Sequence, residues 1–70
     1  MKFNISDILY DHKIKQIGII TKIEKNKAFF ITVTIHWQET EADKTFYLAD
    51  VQYYVECMTF QHYPMTDINK

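Results

Sequence analysis

The side chains able to do chemistry are few and far apart. Three histidines, His12, His36 and His62, and a lone cysteine, Cys57, make up the whole set of soft metal ligands and strong nucleophiles. None of the four stands two to four residues from another, the spacing that preorganises a zinc pair, so no metal site is expected. Cys57 beside a histidine would form a thiolate pair, but a chain with one glycine offers no oxyanion-donor loop, and the thiol reads as half-buried and structural. That glycine, Gly18, lies inside an apolar run, where it marks a bulge or a bend rather than a phosphate loop. Glu39, Glu41 and Asp43 lack the rigid glycine turn of a cation site and read as a solvated face. No catalytic residue, no cofactor and no small-molecule substrate is expected, and the chain reads as non-enzymatic.

Recognition chemistry is better represented. One Trp, five Phe and five Tyr stand among 70 residues. Tyr10, Trp37, Tyr47, Tyr53 and Tyr54 would make a cage or a stacking platform if they met at one end of the fold. Trp37, however, shares a strand face with Val33 and Ile35 and reads as core. The aromatics left for a surface are Phe30, Tyr47, Tyr54, Phe60 and Tyr63. Several exposed rings on so small a chain exceed ordinary surface needs, which points to a protein partner or to self-association.

The alternative is a nucleic-acid surface built from Lys13, Lys15, Lys22, Lys25 and Lys27, brought near one end by a loop and a hairpin. Residues 1–35 hold six Lys against three acids, and residues 36–70 hold two Lys against six. All eight cations are Lys, so the bidentate guanidinium contacts that serve phosphate and guanine best are missing. Lysines on a hairpin edge also serve simply to block aggregation.

The elements that would position these groups are short strands. Residues 17–24 are β-branched, with Ile17, Ile19 and Ile23 expected on one face. Asn26 and Lys27 read as a two-residue turn. Residues 28–37 follow in strict alternation, with Phe29, Ile31, Val33, Ile35 and Trp37 inward and Ala28, Phe30, Thr32, Thr34 and His36 outward. Ile8, Leu9 and Tyr10 read as a first strand and residues 44–48 as a later one. Around Asp50 a single helical or 3-10 turn is expected, with Leu48 and Val51 plugging one end, and residues 53–58 read as the last strand. Residues 59–70, with the sole proline Pro64, read as an irregular tail.

This order, carried by SDILYDHK, IGIITKIE, the strand ending in IHW and the closing TFYLADVQYYVE, is similar to the SH3-like barrel in its Tudor and KOW-type versions. The likeness covers residues 5–57. The layout also resembles that of small proteins of tailed bacteriophages, which implies a phage-encoded viral protein. Ser6 stands where such sequences commonly place glycine, and the tail runs beyond the pattern. Barrels of this kind bind proline-rich peptides, methylated lysine, nucleic acid or neighbouring subunits, so the fold alone does not assign a ligand.

Together these readings describe an all-β protein: a small five-stranded SH3-like antiparallel barrel over residues 1–58, with one short 3-10 turn and an irregular C-terminal tail over 59–70. Its expected core is Ile19, Phe29, Ile31, Val33, Ile35, Trp37, Phe46, Val51 and Val55. A chain of 70 residues supports one core. Its lone cysteine allows no internal disulfide, which fits a reducing cytoplasm or a virion. No apolar run reaches the roughly 18–20 residues of a membrane span, and no signal peptide is visible. The expected role is a non-catalytic protein–protein interaction module, either a structural or assembly component of a virion or a small effector that binds a host protein.

Overall fold

Alternation along residues 31–37 puts Val33, Ile35 and Trp37 on one side of a strand, and all three are buried. The computed structural model, which describes residues 2–65, arranges five such segments and one helix. They are β1 (Ile8–Asp11), β2 (Gln16–Lys25), β3 (Ile31–Trp37), β4 (Ala42–Tyr47), α1 (Leu48–Glu56) and β5 (Phe60–Tyr63). All pairings are antiparallel in one sheet of order β4-β3-β2-β1-β5. The protein is therefore all-β, five-stranded and antiparallel, as its sequence implies. No ladder joins the outer strands β4 and β5 among the described residues. They approach instead through rings, with Phe46 and Phe60 centroids 6.0 Å apart, and α1 packs against both strands.

Strand β2 does not keep one phase. Gly18 and Ile20 face inward, Ile17 is exposed and Ile19 is half-buried, the reverse of the expected face. Ile20 pairs with Ile35 and Lys22 with Thr34, so Thr21 is an extra residue in a bulge. The inserted residue shifts the alternation by one, which turns Ile23 inward against Val33. A single period cannot describe a strand that contains a bulge.

The β2–β3 turn is longer than two residues. The Asn26 carboxamide Oδ1 accepts from the backbone N–H groups of Ala28 (2.9 Å) and Phe30 (3.0 Å). The Phe29 N–H donates to the Asn26 carbonyl and the Asn26 N–H to that of Phe30. Phe29 thereby takes the left-handed position, φ 66°, that usually falls to glycine in such a loop. Residues 28–30 are thus loop rather than strand, and Phe29, expected in the core, is 77% exposed. Asp11 performs the same task at the other end of β2, accepting from Lys13 N (2.8 Å) and Ile14 N (3.3 Å).

After β4 the chain forms nine residues of helix, where a single helical or 3-10 turn and a strand over 53–58 were expected. Leu48, Val51, Tyr54 and Val55 recur at helical spacing and pack inward, with Val51 fully buried. The helix stops in a Schellman motif: Thr59 N donates to the Tyr54 carbonyl, Met58 N donates to that of Val55, and Met58 sits at φ 68°. This reversal delivers β5 alongside β1, pairing Phe60 with Asp11 and Tyr63 with Ile8. The first part of the expected tail is therefore a sheet strand, and a boundary at residue 58 would cut through the fold. Residues 66–70 of that tail lie outside the described residues.

The buried apolar core is Phe3, Leu9, Ile20, Val33, Ile35, Trp37, Val51 and Phe60, with Phe46 and Val55 partly buried against it. Ile19 and Ile31, expected inside, are half-buried. Gly18 is where the core is tightest: a Cβ there would stand 2.5 Å from Ile35 Cγ2 and 2.8 Å from the Trp37 ring. Gly18→Ala should therefore cost about 1–3 kcal/mol through overpacking, measured by urea denaturation. Trp37→Ala should cost about 3–5 kcal/mol. A Gly18→Ala protein of wild-type stability would show that the two strands do not approach this closely.

Candidate functional site

The residues singled out in the sequence fall on separate surfaces. At the β2–β3 tip, Phe30 and Tyr47 are 58% and 53% exposed, with ring centroids 5.8 Å apart. Phe29 precedes Phe30 in the same turn, and the Lys25 ammonium lies 4.9 Å from its ring, within cation–π range. β4 brings Tyr47 to this end of the sheet by pairing it with Thr32. Of the other expected contact residues, Phe60 is buried, Tyr54 is half-buried, and Tyr63 is exposed on the opposite edge strand. The five-residue cage does not assemble either. Tyr10 packs beside His12 (4.9 Å), Trp37 is buried, Tyr47 is at the tip, and Tyr53 and Tyr54 sit together on α1.

The lysines are also divided. Lys13 and Lys15 occupy the β1–β2 turn, while Lys25 and Lys27 lie at the far end of β2, which at about 3.3 Å per residue is roughly 30 Å away. Lys22 between them pairs with Glu24 at 3.5 Å. The acidic 38–41 turn sits beside the first pair, tied there by the Gln38 N–H donating to the Ile17 carbonyl (2.9 Å). No single basic face results.

A second concave surface lies where β4 and β5 fail to meet. It is a cleft of about 340 Å³ with Phe46, Tyr54 and Phe60 forming its apolar wall and Lys13, Ile14 and Lys44 at its margin. Phe60 anchors the wall, 5.0 Å from Tyr54 and 5.8 Å from Trp37. Asp11 also borders the cleft, with Oδ1 already engaged by the β1–β2 turn.

The tightest polar constellation is one that sequence reasoning missed. Asp7 is fully buried, and its Oδ2 is 2.8 Å from His62 Nε2 and accepts from Asn4 N at 2.8 Å. Oδ1 accepts from Met65 N at 3.0 Å, and the Phe3 ring packs on His62 at 4.5 Å. Fifty-five residues separate the pair in sequence, so no spacing signal announces it. An Asp–His pair is a familiar catalytic unit, but this one is closed off, with side-chain exposures of 0% and 8%, and among the described residues no hydroxyl or thiol hydrogen-bonds to it. Its geometry is that of a latch.

Elsewhere, His36 meets Asp43 at 2.7 Å on the outer sheet face and His12 meets Gln61 at 3.2 Å. Cys57 is exposed rather than half-buried and ends α1, its Sγ 3.2 Å from Thr59 Oγ1. Among the described residues no three His, Cys, Asp or Glu side chains converge as metal ligands, and no helix is long and apolar enough to cross a membrane. Comparison of the chain with family models, with curated proteins and with solved structures found no match.

Burial alone would raise the Asp7 carboxyl, but the His62 hydrogen bond, the Met65 and Asn4 N–H groups and the His62 charge together hold it below its ordinary value of 3.8. A carboxyl depressed in the folded state contributes stability that is fully present above its unfolded value and is lost as pH falls through the folded one. Stability should therefore decline below about pH 4, in step with the unfolded-state value of an aspartate. Asp7→Asn should lower stability at pH 7 by about 3–5 kcal/mol and flatten the acid limb, read by denaturation at a series of pH values. An unchanged acid limb in that variant would place the acid sensitivity elsewhere.

Proposed function

We propose that this protein is a non-catalytic protein-interaction module whose contact surface is the β2–β3 tip. The observation that carries the reading is three large rings with more than half of each exposed, Phe30 and Tyr47 as a pair 5.8 Å apart and Phe29 next to Phe30 in the same turn. Leaving apolar surface in water forgoes roughly 25 cal/mol for each Å² that burial would recover. Rings clustered in this way are the usual anchors of protein interfaces.

Backbone strain supports the same reading. A left-handed phenylalanine costs on the order of 1–2 kcal/mol, and Phe29, at 77% exposure, recovers little of that by packing. The turn requires φ 66° but does not require a phenylalanine, and strained residues of this kind cluster at working sites. The non-catalytic part of the proposal is supported by the fate of the acids: Asp7 is sealed in its latch and Asp11 is spent on a turn. The resemblance to small tailed-phage proteins suggests the setting, a virion or assembly contact or the binding of a host protein.

Phe29→Gly should leave stability unchanged or raise it by up to about 1 kcal/mol, because glycine accepts φ 66° without a Cβ clash. Combined with Tyr47→Ser, it should weaken partner capture at least about tenfold, the loss of one interface anchor. Quantitative affinity capture with the wild-type and double-variant chains checks this. Equal capture by two equally folded proteins would overturn the tip as the contact surface.

A further inference from the structure

The seam between β4 and β5 is a different kind of surface from the tip. Among the described residues both strands present an edge with no ladder partner, and between them lies the 340 Å³ cleft. Open edges are templates for an added strand, and proteins usually guard them with charge. The guard is visible here. Lys44 pairs with Ile35, whose side chain is buried, and stands two residues from Phe46, so it is on the core-facing side of an edge strand. Its ammonium lies 6.0 Å from the Phe46 ring. Asp43, its acidic neighbour, faces the opposite side and is held by His36 at 2.7 Å.

An inward lysine repels a neutral or basic strand, because its charge would be buried without a partner. It does the opposite for an anionic one. Lys13 stands across the same cleft, and the one carboxylate bordering it, Asp11, has an oxygen committed to the Lys13 and Ile14 N–H groups. The margin therefore carries two cations and one hydrogen-bonded carboxylate, a net positive charge, over an apolar wall of Phe46 and Tyr54, with half-exposed Ile14 as a lip. The space is at the small end of binding sites and suits one or two side chains rather than a folded surface.

We infer that this seam binds an extended acidic segment of a partner protein, which adds a strand to the β4 edge, seats an apolar side chain in the cleft and pairs its carboxylates with Lys13 and Lys44. The inference does not depend on Phe29 and Phe30, which lie at the other end of β2, although β4 runs on from Phe46 to Tyr47. Strand addition supplies affinity through main-chain hydrogen bonds, while the cleft and the two lysines select the side chains.

The test is a titration of the isotopically labelled full chain with a capped heptapeptide carrying Asp, Phe and Asp at positions 2, 4 and 6 and Thr between them, so that the three face the cleft together, followed by amide chemical shifts and hydrogen exchange. Shifts should gather at Ile14, Lys44, Phe46, Tyr54 and Thr59, β4 amides should gain protection, and added salt should weaken binding. A matched peptide with Lys in place of Asp should not bind. Lys13→Glu combined with Lys44→Glu should weaken the Asp peptide at least about tenfold, the equivalent of one charge-assisted hydrogen bond. Phe29→Gly should leave the titration unchanged, which separates this site from the tip. Absence of shifts at millimolar peptide, equal binding of the Lys peptide, or shifts without β4 protection would each overturn the inference. So would tighter binding of oligothymidylate to the same amides, which would assign the cleft to nucleic acid.

Discussion

A single buried carboxylate holds the two ends of the described chain together. Asp7 accepts from the backbone at residues 4 and 65 and is hydrogen-bonded to His62, so the N-terminal turn, β5 and the segment after β5 share one anchor. Taking a charge out of water costs several kcal/mol unless hydrogen bonds and an opposite charge offset it, and here three partners reach the two oxygens. Placement of β5 follows from this anchor. Because β5 is fixed against β1, Phe60 comes to the middle of the ring cluster with Trp37, Phe46 and Tyr54. The same turn sends the Ser6 N–H to the Ile20 carbonyl and receives the Ile20 N–H at the Asp7 carbonyl, beside the β2 bulge. Stability and the shape of the seam therefore depend on one side chain.

Left-handed backbone positions show how this chain manages with one glycine. Ser6, Lys15, Phe29, Glu41 and Met58 all adopt positive φ. Two of them have a clear structural return. Ser6 donates its N–H into β2 at 2.7 Å, and Met58 closes the helix and redirects the chain into β5. Phe29 also closes a turn, yet a glycine would close it with less strain and nothing in the fold uses its ring beyond the Lys25 contact. Lys15 and Glu41 are also exposed at positive φ, so what separates the tip from those turns is that its left-handed side chain is a large apolar ring.

Much of the fold is legible in the sequence because β3 alternates without interruption, and Val33, Ile35 and Trp37 are buried as their spacing requires. The errors have local causes. A bulge at Thr21 shifts the phase of β2, so the face containing Ile17 and Ile19 reads as inward when Gly18 and Ile20 are the buried ones. Helix α1 spans only nine residues, lacks a side-chain N-cap and ends on Met58 where glycine would mark the stop, so Tyr53, Tyr54 and Val55 read as strand. Once those residues are helix, the fifth strand must come from the segment after it, which begins with Phe60. Of the candidate site, the exposure of Phe30 and Tyr47 was legible from leftover aromatics, but their meeting at the tip was not, because Phe30 lies in the turn and not on the strand face expected. The cleft was not, because Lys13, Lys44 and Tyr54 meet only through the topology.

The open seam has a geometric origin. At 1.5 Å per residue a nine-residue helix is about 14 Å long, whereas six residues of β4 extend about 20 Å. α1 starts where β4 ends, at Tyr47, and in no orientation is it long enough to cover the whole strand. The uncovered part falls beside Lys44 and the β1–β2 turn, where Phe46, Tyr54 and Phe60 fill the inner side and leave the outer side as a cleft. A longer helix would have capped the seam and a direct β4–β5 ladder would have erased it. With neither, the edge is left to an inward lysine, and a charge placed there to repel the wrong strand also defines which strand can bind.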